Sequence, residues 1–431
     1  MADEDSTRFS VWSGAGLCIA NTIGAGVLLS TGFMAQSMGP GAILIAWVIG
    51  GAVAMLGARA YGVVASGLAR SGGEYRYLSS LMHPFLGHVA GWGSLVLGFS
   101  APVAVDALAI GAFARTLWPS VDPTIVAVLT VILATLVFST ARGWSKRTQS
   151  ALVVMKLALV LGLLFAGIVF GRTEWPDWTP PNAAPGVPLV AIAANQFWIA
   201  FAFSGWNAAI YAAAEFEVPE RDVPRAMLLG LLVVSAIYLG LNWVFVANLL
   251  PAEASQVFTY EQTRMTLAHV LAVRLFGEPA SRLVSIAAII VFASAIAAMT
   301  VTGPRVYAEM AKDGFLPARL AVTREHTPVA STVLQGSVAL FFVLTSTVLE
   351  IVSSSGAFLM VFAALTALTT WRLPDSERRG RFAGLLYAFA IASFLILGLS
   401  FESKALWGTV ALIIVAAAIG HRVARRSRDD R

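Results

Sequence analysis

Leu17-Cys18-Ile19-Ala20-Asn21-Thr22-Ile23-Gly24-Ala25-Gly26-Val27 sits inside an apolar run reaching from about residue 9 to 36. A run of that length crosses the apolar core of a bilayer as a helix. Glycine in a helix interior costs about 1 kcal/mol against alanine, so Gly24 and Gly26 weaken the helix at mid-depth. Water cannot rescue the backbone there, and freed N–H and C=O groups are tolerated only where they face a cavity or a ligand. The stretch predicts a helix that spans, breaks and exposes its backbone for binding.

The rest of the chain supports a membrane reading. Apolar residues make up 58% of the 431, charged residues 12%, and the mean hydropathy is +0.78. Such a chain cannot hide its apolar surface in one water-facing globule. Its apolar runs are continuous over 18 or more residues, whereas an outer-membrane barrel alternates polar and apolar positions. The fold class expected is an all-α polytopic membrane protein. About twelve spans of roughly 20 residues are expected, near 9–36, 40–66, 85–115, 122–141, 149–170, 190–216, 225–250, 281–311, 329–348, 352–371, 382–400 and 405–422. The acidic start Met1-Ala2-Asp3-Glu4-Asp5 lacks a basic region, so no cleavable signal peptide is expected.

Charge placement predicts orientation. Alternate loops carry Arg70, Arg76, Arg142, Lys146, Arg147, Arg221, Arg225, Lys312, Arg319, Arg324, Arg372, Arg378, Arg379 and Arg381, and the tail adds Arg422, Arg425, Arg426, Arg428 and Arg431. The opposite loops hold only Arg115, Arg172, Arg264, Arg274, Arg282 and Lys404. The positive-inside rule then puts both termini in the cytoplasm. The net charge of +5 is read as a topology anchor against anionic lipid, with no nucleic-acid partner. Cys18, the single cysteine, excludes an internal disulfide and a cysteine-based metal site. The five histidines show no metal-ligand spacing, and neither metal nor cofactor is expected.

A second break is expected in the sixth span, at Phe201-Ala202-Phe203-Ser204-Gly205-Trp206-Asn207. Paired Gly-interrupted segments at matching places in two halves of a chain point to a central binding site. The half-helix beyond each break presents a positive dipole end to a carboxylate, and the half before it presents carbonyls to an ammonium. An α-amino acid main chain carries both charges at that separation. Gly14-Ala15-Gly16 and Gly50-Gly51 are read instead as close helix packing.

These residues, taken in order, resemble a known family. Thr22-Ile23-Gly24-Ala25-Gly26-Val27, Ser71-Gly72-Gly73-Glu74-Tyr75, Phe201-Ala202-Phe203-Ser204-Gly205-Trp206 with the segment Glu215–Ala226, and Arg305–Pro317 resemble the amino acid permeases of the amino acid–polyamine–organocation (APC) superfamily. The likeness is to the bacterial relatives of the L-type and cationic amino acid transporters. It implies a LeuT-type 5+5 inverted repeat of about 12 transmembrane helices with helices 1 and 6 broken. The implied organisation is a cytoplasmic N-terminus 1–8, a first repeat 9–170, a second repeat 190–371, two further spans in 382–422 and a basic tail 423–431. It implies a substrate carboxylate on the N–H groups of Gly24, Ala25 and Gly26, and an amine at carbonyls of Ile23, Phe201 and Ser204. Gly205 and Asn207 complete the implied substrate-binding set, and Phe201 is the implied gate.

Lys156 lies in span 5, about eight residues beyond Lys146-Arg147, or roughly 13 Å along a helix. A lysine at that depth is a functional suspect unless it snorkels to the interface. In sodium-independent relatives a lysine in this span resembles a tethered cation in place of a sodium ion. Carbonyls freed at the span-1 break are natural acceptors for it, and hydroxyls of Ser294 or Thr300 are further candidates. Asp106 in span 3 is read as structural, and Glu215, Glu217, Arg221 and Arg225 as an ion-pair network. The lining expected from Asn21, Thr22, Ala25, Phe201, Ser204, Asn207, Ala208 and Ser294 is uncharged, which favours neutral L-amino acids. Cationic amino acids or polyamines come second, with Asp106 as the nearby carboxylate. The expectation is a sodium-independent secondary transporter in a bacterial inner membrane, working by proton symport or by antiport. Leu117–Asp122, the outer loop in which light chains of this family carry a cysteine, has none, so no disulfide-linked heavy chain is expected. No convergent nucleophile or metal set suggests an enzyme, and no repeated pore motif suggests a channel.

Overall fold

A computed structural model describes residues 8–35, 37–68, 72–140, 146–176, 178–180, 188–249, 267–321, 328–373 and 378–398. The expected span 405–422, the tail 423–431, residues 1–7, and Arg70, Ser71, Arg142, Arg264, Arg324 and Lys404 lie outside the described residues.

The described chain is helical, and its one β-contact is the bridge between Phe9 and Phe216. Helix α1 (Val11–Thr22) and α2 (Ala25–Met34) are the halves of a broken span, bent by 46° at the junction. Next come α3 (Pro40–Gly67), the short α4 (Glu74–Leu81) and α5 (Pro84–Leu117). Pro40 and Pro84 each begin a helix, where a missing N–H is no loss. The chain continues through α6 (Pro123–Thr140), α7 (Lys146–Phe170), α8 (Leu189–Ala202) and the four-residue α9 (Ala208–Tyr211). It closes with α10 (Pro219–Asn248), α11 (Leu267–Lys312), α12 (Val329–Thr345), α13 (Val348–Leu368) and α14 (Arg378–Gly398). Among the described residues, 8 helices are long and apolar enough to cross a membrane, and 9 with the bent pair as one span.

Burial sorts the helices into a centre and a rim. The apolar stretch of α5 is 89% buried, against 17% for α6 and α7. Leu133, Leu136, Val154 and Phe165 on those two helices face outward. Outward apolar side chains are stable only in lipid, so α6 and α7 are rim helices and α5 is the central one.

Two expected spans gain detail. The sixth, expected at 190–216 with a break at Phe201–Asn207, runs as α8 to Ala202, leaves the helix over Phe203–Asn207 and resumes at Ala208. The eighth, expected at 281–311, corresponds to the apolar stretch Ser281–Lys312, and helix also precedes it back to Leu267 across a bend at Gly277, whose φ of 74° only glycine adopts freely.

Candidate functional site

Span 1 breaks at Ile23–Gly24, where both residues are extended: φ −75°, ψ 104° and φ −145°, ψ −154°. Those angles suit any residue, so the glycines serve space. A Cβ on Gly26 would stand 2.6 Å from the Ala202 Cα, at the end of α8. Across the gap, Gly205 has φ 97°, and a Cβ there would stand 2.6 Å from the Asn21 carbonyl. Each break thus carries the glycine that lets the other approach.

Two intramembrane charges serve the break between α1 and α2. The Lys156 ammonium is fully buried and donates to the Ala20 carbonyl at 2.8 Å and the Ile23 carbonyl at 2.7 Å. These acceptors belong to the C-terminal end of a half-helix, where the partial charge is negative. At the other side the Ala25 N–H donates to Asp106 Oδ1 at 2.7 Å, placing a carboxylate on the positive end of α2. The Tyr238 hydroxyl lies 2.8 Å from the Thr22 carbonyl and 2.9 Å from the Ala202 carbonyl, so it can donate to either break.

At the break, groups expected to hold a substrate have partners within the protein. The Ala25 N–H, expected for a substrate carboxylate, already holds Asp106, and the Ile23 carbonyl, expected for an amine, already holds Lys156. Ser294 and Thr300 do not hydrogen-bond Lys156; the Thr300 hydroxyl donates to Ile296 in its own helix. Phe201 is buried at 5% exposure, and its carbonyl accepts from the Ser204 N–H at 2.9 Å. Asp106 is itself a member of the site, and its second oxygen is buried without a hydrogen-bond partner.

Ser204, Gly205 and Asn207 open onto a cavity of about 80 Å³ between α3, α5, α8, α13 and α14. Phe201, Ile23, Gly24, Ala25 and Gly26 do not line it; Phe203 and Trp206 do. At one end stands Glu74, 3% exposed. Its Oε1 accepts from the Tyr61 hydroxyl at 2.6 Å and from Asn207 Nδ2 at 3.2 Å. Burial pushes the Glu74 carboxyl up to about 7, and the Tyr61 and Asn207 hydrogen bonds pull it partway back. Gly73 places this carboxylate, since it starts α4 with φ 66° and a Cβ there would strike the Tyr211 ring at 2.3 Å.

At the α4 end of the bundle, ion pairs tie α4 to the end of α11. Arg76 pairs with Asp313 at 2.6 Å and Glu309 at 3.6 Å, and Lys312 pairs with Glu309 at 2.7 Å. Glu215 pairs with Arg305 at 3.0 Å, while Arg221 pairs with its neighbour Asp222 at 2.7 Å. Of the network expected among Glu215, Glu217, Arg221 and Arg225, Glu217 acts electrostatically on Arg221 and Arg225 on Asp222, while Glu215 reaches across to α11. The Phe9 N–H donates to the Glu215 carbonyl at 2.8 Å, clasping the segment before α1 to the same corner.

Two residues of the site have roles that the sequence does not disclose. Asp106 is visible as an intramembrane charge, but nothing in Ala101–Leu108 says which backbone it meets. Glu74 is visible within Ser71-Gly72-Gly73-Glu74-Tyr75, one of the segments carrying the resemblance, but nothing in that segment says that the carboxylate is buried beside Tyr61 and Asn207.

Comparison with known proteins adds an independent line. The sequence profile of a family described as amino acid permease matches residues 9–421. The large neutral amino acids transporter small subunit 2 of Homo sapiens is 25% identical over 387 residues, covering 85% of this chain and 70% of that protein. The serine/threonine exchanger SteT of Bacillus subtilis is 25% identical over 397 residues, covering 89% and 88%. The Asc-type amino acid transporter 1 of Mus musculus is 27% identical over 252 residues, covering 55% and 47%.

Proposed function

The chain belongs to the amino acid permease family, a family of transporters and not enzymes, and from that premise we propose that it is a sodium-independent secondary transporter of neutral L-amino acids. The observation that carries this reading is Lys156 on the Ala20 and Ile23 carbonyls. A bound sodium ion would be a mobile charge on such oxygens; here a tethered ammonium already neutralises them, so the cycle needs no sodium. Alternating access then works on a LeuT-type 5+5 frame, with 9–170 and 190–371 as inverted repeats and both termini in the cytoplasm of a bacterial inner membrane.

The substrate main chain takes the place of Asp106 at the Ala25 N–H when that side chain turns away. Proton coupling enters there, because a protonated Asp106 holds the N–H less strongly than a substrate carboxylate does. Exchange is the other mode this geometry serves, with the incoming substrate displacing Asp106 on each side in turn. The transporter acts without a disulfide-linked partner, since its sole cysteine, Cys18, is buried in α1. A second reading, transport of cationic amino acids or polyamines, is favoured by Glu74 in the cavity.

Uptake into proteoliposomes tests the reading. Labelled leucine, serine, threonine, lysine and putrescine are offered with and without an inward proton gradient or internal unlabelled substrate. Saturable uptake of neutral amino acids, driven by either, is expected. No saturable uptake or exchange of any amino acid would refute it.

A further inference from the structure

We propose that the groove between α2, α7, α10 and α11 seats one acyl chain of an anionic phospholipid, whose phosphate meets Arg172 and Arg282. The groove is separate from the span-1 break and from the Glu74 cavity, and its occupant does not depend on which solute is carried.

The wall decides what kind of molecule enters. The groove has a volume of about 290 Å³, and every side chain lining it is apolar. Its floor is buried: Leu28 of α2, Val160 of α7, Leu241 of α10 and Val291 of α11. Its lips, Ala158 and Gly162 of α7 and Leu283 of α11, are exposed. Both helices are apolar enough to cross a membrane over these residues, so the lips are continuous with the lipid-facing rim. An apolar cavity of about 150 Å³ already stays dry and takes up hydrocarbon instead. Left unfilled, the lining atoms would forfeit their dispersion contacts on that side. Ala158, Gly162 and Ala166 follow one another a turn apart, so the trough runs about 12 Å along α7. A long, narrow, apolar trough suits an alkyl chain. A Cβ added to Gly162 would meet nothing within 4 Å, so this glycine keeps the trough open.

One end of the groove supplies a counter-charge for a headgroup. Phe276 lines the groove and meets Phe170 edge-on, with ring centroids 5.6 Å apart, which joins the end of α7 to α11 beside the Gly277 bend. Arg172 follows Phe170 closely, and Arg282 directly precedes Leu283. Both are exposed, and neither side chain has an ion-pair partner among the described residues. Arg274, at the same end, is committed to the Asn248 carbonyl. The Arg172 N–H donates to Asn248 Oδ1 at 2.7 Å, which fixes the exit from α7 there. In sequence these arginines stand against Glu174 and Glu278, which leaves the end positive. The apolar spans end at Phe170 and begin at Ser281, so Arg172 and Arg282 stand at headgroup level. A guanidinium fork there matches a phosphate, and the phosphate available at that depth is one carried on an acyl chain.

Photolabelling of the purified full chain in phosphatidylcholine liposomes decides the matter. The probes are trace phosphatidylglycerol and trace phosphatidylcholine, each with the same photoactivatable acyl chain, and labelled peptides are mapped by mass spectrometry. The phosphatidylglycerol probe is expected to label Ala158–Ala166 and Leu283–Val291 at least fivefold above α6, a rim helix that reports ordinary bilayer contact. The phosphatidylcholine probe should label the groove no more than it labels α6. Excess unlabelled phosphatidylglycerol should displace the label, and inorganic phosphate should not. Gly162→Phe should cut the groove label at least fivefold, and Arg172→Gln combined with Arg282→Gln should abolish the preference between the two lipids. The proposal is overturned if the groove is labelled no more than α6, if both probes label it equally, or if inorganic phosphate displaces the probe. It is also overturned if the groove stays unlabelled because this chain or a second copy covers it, or if either variant leaves the pattern unchanged. Should Gly162→Phe fail to fold, the contrast between the two lipids on the wild type still separates the outcomes.

Discussion

Glu74 links protonation to stability. Burial raises its carboxyl to about 7 from an ordinary value of 4.5. Between those values the folded chain holds a proton that the unfolded chain has lost, so this group's contribution to stability falls as pH rises through about 4.5 to 7. Among the described residues, the titratable groups coupled to Glu74 are the phenols of Tyr61, Tyr77, Tyr211 and Tyr387, which carry no charge in this pH range. Melting temperature without ligand is expected to decline from pH 5 to 8 less steeply in Glu74→Gln than in wild type. At this scale the sequence is partly legible. Lys156 announces itself by its depth, and its carbonyl partners follow from the break. Asp106 and Glu74 keep their partners hidden, since both contacts cross more than 80 residues of chain.

The two breaks are better understood as one interlocked element. Gly205 needs its positive φ and its closeness to Asn21; Gly26 needs only closeness to Ala202. Gly205→Ala therefore combines backbone strain of about 1–3 kcal/mol with a clash against backbone that cannot give way. It should lower the melting temperature by several degrees and abolish uptake. Gly16, with nothing within 4 Å of its would-be Cβ, is the control. Gly16→Ala should be neutral or stabilising by up to about 1 kcal/mol, as a paired thermal melt will show; equal losses in both variants would contradict the interlock. Reading Gly14-Ala15-Gly16 as packing holds for Gly14, whose Cβ would strike Phe216 at 2.5 Å, but not for Gly16. Periodicity cannot tell these apart because both sit in the same apolar run. It also gives no sign of the π-helical stretch Ser94–Ser100, which lets α5 slip register beside the cavity. Gly98 and Phe99 reach the cavity from that stretch.

On the scale of the molecule, hydropathy and the glycine breaks carry most of the architecture, because the bilayer demands long apolar helices and punishes every exception. The helical segment from Leu267 to the bend at Gly277, ahead of span 8, is not legible, since hydropathy does not mark where a kinked helix begins. The proposed function turns on one charge: the Lys156 ammonium of α7 on the Ala20 and Ile23 carbonyls of the span-1 break, in the place the proposal denies to a mobile ion. Removing it leaves the Ala20 and Ile23 carbonyls unpaired, at about 1–3 kcal/mol for each buried group, and leaves Asp106 without its nearest cation. The most direct measurement is initial-rate amino acid uptake in proteoliposomes with sodium wholly replaced by potassium, for the wild type and Lys156→Ala. The wild type is predicted to transport equally in both salts, and Lys156→Ala to lose activity by roughly tenfold or more from the lost contacts. Sodium-dependent wild-type uptake, or full uptake by Lys156→Ala in potassium, would contradict the tethered-cation role.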